Sequence, residues 1–212
     1  MEDARPEYML IDGVNFQMRI RRNIETVPVL AAIGVTKAGH RLVLSLQSGD
    51  KGSASSWREF FQGFEGKNVT LGIMDGLPGL EAVFKQELPS AKVQRCQVHI
   101  ARNVLAKVPK KLKKEVADDL RSIFYASSKN KAIEFFEQLK KKWKDTIPSA
   151  VSCLERSINA CLTFFNFPEE EWISLRTTNI IERLKRNLNA ARNLWRYLLV
   201  RPPVTVSWPL SL

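Results

Sequence analysis

The hydrophobic pattern changes character once along this chain, near residue 100, and that change limits the possible folds more than any other feature. Ahead of it, short apolar runs alternate with turns and short helical stretches. Residues 8–12, 27–35 and 41–46 read as strands. The last two make a hairpin around Thr36-Lys37-Ala38-Gly39-His40, where Gly39 can take positive φ. Residues 53–64 switch period, because Trp57, Phe60, Phe61 and Phe64 fall on one helical face. Residues 69–74 form a buried strand, 78–88 a short helix closed by Pro89, and 91–98 a fifth strand. From Ile100 onward the spacing predicts helices over 104–124, 132–143, 148–165 and 179 to about 199. Three antiparallel strands, then alternating strands and helices, predict an α/β fold followed by an all-helical stretch.

A chain of 212 residues has room for one full domain with an inserted subdomain. Its 33 Lys+Arg against 22 Asp+Glu give a net charge of +11 and a pI near 9.8, which favours a nucleic-acid partner over an acidic small molecule. The alternative is a basic but inert surface. No apolar run reaches the ~18 residues of a spanning helix, so no membrane partner is expected. The acidic, polar residues 1–7 do not resemble a secretory signal. Three unevenly spaced cysteines do not make a disulfide framework. Together these predict a cytoplasmic protein.

Three acidic residues stand where chemistry could be built. Asp12 and Asp75 each close an apolar, strand-like run, and Glu182 lies in the first turn of a basic helix. Each has a plainer reading. Asp12-Gly13 and Asp75-Gly76 are good turn dipeptides, and Asn179-x-x-Glu182 fits a capping box. The last helix weakens the capping reading. Ile181, Leu184, Leu188, Ala191, Trp195 and Leu198 form its buried stripe, Glu182 falls beside that stripe, and Lys185, Arg186, Asn189, Asn193 and Arg196 follow on the flank. A glutamate leading a basic face suits a metal ligand acting on a phosphate backbone, and a helix N-terminus accommodates its charge. Strand-end acids in a basic chain point to metal-dependent chemistry on a polyanion. The cations placed to hold phosphates are Arg102, Lys107, Lys110, Lys111, Lys113, Lys114, Arg183, Lys185 and Arg186. Cys96-x-x-His99 is only half of a tetrahedral zinc site, and Cys153, Cys161 and His40 are not at a paired spacing. The expectation is a buried Cys96, with His99 near the active site or orienting DNA.

At these residues the chain resembles the catalytic region of Mutator-type transposases from bacterial insertion sequences, from about Tyr8 to about Asn193. The resemblance rests on Leu30-Ala31-Ala32-Ile33-Gly34-Val35, Ser56-Trp57-Arg58-Glu59-Phe60, Met74-Asp75-Gly76-Leu77-Pro78-Gly79-Leu80, Cys96-x-x-His99-x-x-Arg102-Asn103, and Thr177-Thr178-Asn179-Ile180-Ile181-Glu182-Arg183-Leu184. The last two in combination are highly specific. The resemblance implies a ribonuclease-H-like mixed sheet with an Asp-Asp-Glu triad of Asp12, Asp75 and Glu182. It divides the chain into a first part of the core at 1–101, a helical insertion at 102–172, the glutamate helix at 173–199 and an atypical tail at 200–212. The cofactor implied is a pair of Mg²⁺ ions, with Mn²⁺ as a substitute. They would relieve the repulsion of three gathered carboxylates and assist in-line displacement. The partners implied are double-stranded DNA, as element ends and as target, and further copies of the chain, on the bacterial nucleoid. The pair Cys96 and His99 belongs to the family pattern, beside Asn179, without a role that spacing reveals.

The chain departs from the family pattern in several places. Relatives carry a DNA-binding region ahead of the first aspartate, whereas Asp12 stands almost at the start here. Ala190-Ala191 occupy the place of paired arginines, Gly52 stands where an acidic residue is common, and 200–212 reads as an unrelated, loosely docked tail. The expectation is therefore a truncated catalytic region. Its rivals are a catalytically inactive DNA-binding remnant and a metal-dependent nuclease of the same fold.

Overall fold

Strand β1 (Pro6–Ile20) passes straight through the Asp12-Gly13 pair that the sequence offers as a turn. The reason is visible beyond that pair: Val14 and Phe16 are buried while Asn15 and Gln17 are exposed, the period-two signature of a half-buried strand. β1 pairs antiparallel with β2 (Asn23–Thr36) along its whole length, with Asp12 opposite Ala31 and Gly13 opposite Leu30. The computed structural model describes residues 6–20, 23–62 and 68–190; the side chains of 18–20, 185 and 187–190 are outside that description. The predicted continuation of the last helix beyond Ala190, Phe64, the Lys185 side chain and residues 200–212 therefore lie outside the described residues.

β2 pairs with β3 (Arg41–Ser48) through a register shift at Ala32/Ile33. The intervening turn uses Gly39 at φ 81°, a left-handed conformation glycine adopts without steric cost. β1 pairs parallel with β4 (Leu71–Met74), and β5 (Lys92–Arg95) follows, giving the order β3-β2-β1-β4-β5 among the described residues. The result is a mixed sheet with β1 at its centre, in an α/β fold.

Helices α1 (Ala54–Gln62) and α2 (Pro78–Glu87) share one core with this sheet. Met9, Ile11, Leu30 and Met74 meet Trp57, Phe60, Phe61, Leu80, Val83 and Phe84, all buried. Trp57 and Phe60 meet edge to face at 5.5 Å between centroids, as do Phe60 and Phe61 at 5.7 Å. These are favourable arrangements of the ring quadrupoles. Gly72 is required here, because a Cβ at that position would lie 2.4 Å from the Phe84 ring.

The chain divides into two compact units, one of residues up to Val93 with those from Thr178 on, the other Gln94–Thr177. The second is helical after the end of β5: α3 (Gln97–Leu105), α4 (Lys113–Phe124), α5 (Lys129–Trp143), α6 (Pro148–Glu155), α7 (Ile158–Cys161) and α8 (Trp172–Leu175). The predicted helix over 104–124 is interrupted. Pro109 lacks an amide hydrogen and disfavours helix for its predecessor, so α3 stops and a 3₁₀ turn at Lys110–Leu112 leads into α4. The predicted 148–165 helix is likewise divided into α6, α7 and a 3₁₀ turn at Thr163–Asn166. Gln94, wholly buried, ties this unit together: its Nε2 donates to the Arg95 and Cys161 carbonyls at 2.8 Å, and its Oε1 accepts from the Phe164 amide at 2.9 Å. The first unit regains the chain with α9 (Asn179–Ala190). Among the described residues no helix is long and apolar enough to cross a membrane.

Candidate active site

The last register pair of the parallel β1–β4 ladder is Ile11 with Met74, and the next residue on each strand is an aspartate. Paired strands lie about 4.8 Å apart, so Asp12 and Asp75 leave the ladder as neighbours. Their surroundings differ. Asp12 is buried, and its strand continues paired to β2 for eight more residues, to Ile20. Asp75 is half-buried at a true strand end. Its Oδ1 accepts the Leu77 amide at 3.1 Å, and Gly76 turns the chain away at φ 81°. Asp75 therefore does serve the turn, with one carboxylate oxygen, while Asp12 does not. Met9, Ile11 and Met74 belong to the core under α1 and α2, and side chains alternate along a strand. Asp12 accordingly faces the other side of the sheet.

On that side Asp12 meets the start of α9. The Thr178 hydroxyl donates to Asp12 Oδ2 at 3.1 Å, and both residues are buried. Thr178 immediately precedes α9, and its carbonyl accepts the Ile181 amide at 2.9 Å. This corrects the capping-box expectation. Asn179 is the first helical residue rather than the cap, so Glu182 is one position too far along for the box. Glu182 instead lies in the first turn of α9, four residues after Thr178. Glu182 is half-buried, beside the buried Ile181 and Leu184. The Thr178–Asp12 bond thus holds the start of α9 against β1. Among the described residues no three His, Cys, Asp or Glu side chains stand as a metal-holding group. Thr178 is the residue that sequence reasoning passed over. The signal was the Thr177-Thr178 pair, since threonine is a favoured residue just ahead of a helix.

The remaining candidates lie partly in the helical unit. Lys107, Lys110, Lys111, Lys113 and Lys114 are exposed, as is Arg102 on α3. Among the described residues none of those five lysines forms an ion pair. The lysines further along do: Lys142 pairs with Glu115 and Asp119 at 2.9 Å, Lys131 with Glu134, and Lys140 with Glu155. Arg183 and Arg186 are exposed on α9 in the first unit, where Asn179 is exposed too. Cys96 is buried at the start of α3, and His99 is half-buried one turn further on. Cys161 is also buried. That burial raises its thiol pKa well above the ordinary range, with Arg95 opposing and Cys96 and Cys153 adding to the rise. Such a thiol does not act as a nucleophile.

The family described as transposase, Mutator family, matches residues 3–197. The chain is similar to the transposase for insertion sequence element IS406 of Burkholderia multivorans, at 33% identity over 185 residues, covering 85% of this chain and 48% of that protein. Its similarity to the transposase for IS905 of Lactococcus lactis subsp. lactis is 29% over 189 residues, covering 88% of this chain and 48% of that protein. For the transposase for ISRM5 of Rhizobium meliloti it is 30% over 184 residues, covering 85% and 46%. The chain spans about half the length of the curated relatives it matches. A family match across most of the chain, residues 3–197, leads to one conclusion: the chain belongs to the Mutator family of transposases.

Proposed function

We propose that this chain carries the catalytic carboxylates of a DNA transposase. Asp12, Asp75 and Glu182 would hold two Mg²⁺ ions, with Mn²⁺ as a substitute, for phosphodiester cleavage at element ends and strand transfer to target DNA. One observation carries the reading: the Ile11–Met74 register pair stands directly ahead of both aspartates, while Thr178, bonded to Asp12, stands one helical turn from Glu182. The donor set fits the ion, since Mg²⁺ takes hard oxygen ligands and needs only one or two carboxylates beside its waters. The mixed sheet centred on β1 is taken as the ribonuclease-H-like core, and the helical unit as its insertion.

Bound there, the ions would activate an attacking water or 3′-hydroxyl and stabilise the leaving oxygen. The chain's own residues do the rest. Asp75 Oδ1 accepts the Leu77 amide, which leaves the other carboxylate oxygen as the one to bind an ion. Thr178 fixes the orientation of Asp12. The lysines at 107–114 hold the phosphates of double-stranded DNA. Lys113 and Lys114 sit in the first turn of α4, where the helix dipole disfavours cations, so their placement serves a ligand rather than the helix. Further copies of the chain are the expected partners when two element ends are joined.

The test is incubation of the purified chain with supercoiled DNA and Mg²⁺. Nicking that requires the metal and is abolished by Asp75→Asn, with DNA binding retained, supports the reading. Nicking unaffected by Asp75→Asn would reduce Asp75 to a turn residue. Joining of cut ends to a second DNA separates a transposase from a nuclease of the same fold.

A further inference from the structure

Arg176, at the end of α8, is a cation that nothing described so far uses. It is only 8% exposed, yet among the described residues no carboxylate pairs with it and its buried Nε has no hydrogen-bond partner. Its guanidinium lies instead between two rings, 4.9 Å from the centroid of Tyr125 and 4.8 Å from that of Phe164. Burial lowers its pKa from the ordinary value, and Tyr125 opposes that shift. The two rings are not equivalent. Phe164 is completely buried and is braced by Phe165 and Trp172, at 4.2 Å and 5.7 Å between centroids. Tyr125, which ends α4, is 68% exposed.

For folding alone this arrangement is a poor one. Aromatic faces attract a cation but accept no ordinary hydrogen bond, so the buried Nε–H is desolvated with no hydrogen bond in return. An exposed ring over it recovers little apolar burial. The same features suit a flat, anionic ligand. The guanidinium holds the ring from behind, uncompensated positive charge sits beneath it, and the outer face is open to solvent. A nucleobase stacks on such a face whatever its identity, while its phosphates feel the charge. Bases inside a duplex are already stacked on their neighbours and cannot reach it.

We infer that Tyr125, positioned by Arg176, is a stacking platform for an unpaired base of single-stranded DNA. This rests on DNA being the chain's partner, and it adds a single-strand site distinct in chemistry from the phosphate-holding lysines. The experiment measures anisotropy of the full chain with one labelled oligonucleotide, single-stranded and as its duplex. Tyr125→Ala should weaken single-strand binding roughly 5- to 150-fold, the range for loss of one stacked base. Duplex binding should stay unchanged, and Tyr125→Phe should keep both. Because Tyr125 is an exposed residue, the alanine variant is expected to fold, and circular dichroism checks this. A parent chain that binds neither DNA form would defeat the DNA reading and this inference with it. A parent that binds both, with Tyr125→Ala losing nothing or losing both forms equally, would defeat this inference alone.

Discussion

Removing the Thr178 hydroxyl is the smallest change that separates Asp12 from the helix carrying Glu182. Thr178→Val keeps the branched shape and deletes the donor, leaving a buried carboxylate oxygen short of one hydrogen bond. A loss of that kind costs about 1–3 kcal/mol. The expected outcome is a lower urea midpoint for the valine variant and recovery with Thr178→Ser. Equal midpoints for parent and valine variant would mean that the bond contributes nothing. The two Asp-Gly pairs also differ at this scale. They look alike in the sequence, yet Asp75 bonds the Leu77 amide in a turn while Asp12 sits inside a strand. What distinguishes them lies downstream of each. Val14, Asn15, Phe16 and Gln17 alternate after Gly13, whereas Leu77-Pro78 starts a helix after Gly76.

At the scale of elements, β4 and α2 are held by a close approach. Gly72 lies under the Phe84 ring, and the 2.4 Å clearance for any added Cβ leaves no room for alanine without displacing a ring that is itself fully buried. Overpacking of this sort typically costs about 1–3 kcal/mol. Gly72→Ala should therefore unfold at lower denaturant, and a midpoint at or above that of the parent would show that the ring moves freely. Much of this layer was legible in the sequence. The aromatic face Trp57, Phe60 and Phe61, the Gly39 turn and the α2 boundaries follow from periodicity and turn chemistry. Helix breaks were less legible. Pro109 signalled one, but the run of lysines and apolar residues around it kept a helical period. The division of 148–165 has no comparable breaker, and the ends of α6 and α7 are set by packing that local sequence does not carry.

Across the whole molecule, the charge of +11 is the quantity that speaks to partners. The exposed lysines at 110, 111 and 113 form no ion pair among the described residues, so replacing them with glutamine takes charge from the phosphates without breaking any bridge within the protein. Binding to duplex DNA should weaken steeply with salt. The slope of log affinity against log salt should become shallower by roughly 0.9 for each phosphate no longer neutralised. A triple variant with the parent's slope would remove these lysines from the interface. The parallel pairing of β1 with β4 and the return of α9 against the sheet were not readable from local pattern, because both are long-range. Local pattern marked Asp12, Asp75 and Glu182 as strand-end and helix-start acids, and the motif resemblance named them as a triad.

The central claim is that these three carboxylates form one divalent-metal site, and metal binding itself tests it most directly. Titration of Mn²⁺ into the chain by calorimetry should show binding in the parent. It should be lost in Asp12→Asn and in Asp75→Asn, and weakened in Glu182→Gln, with all variants folded by circular dichroism. Binding in Asp12→Asn and Asp75→Asn indistinguishable from that of the parent would contradict a shared site.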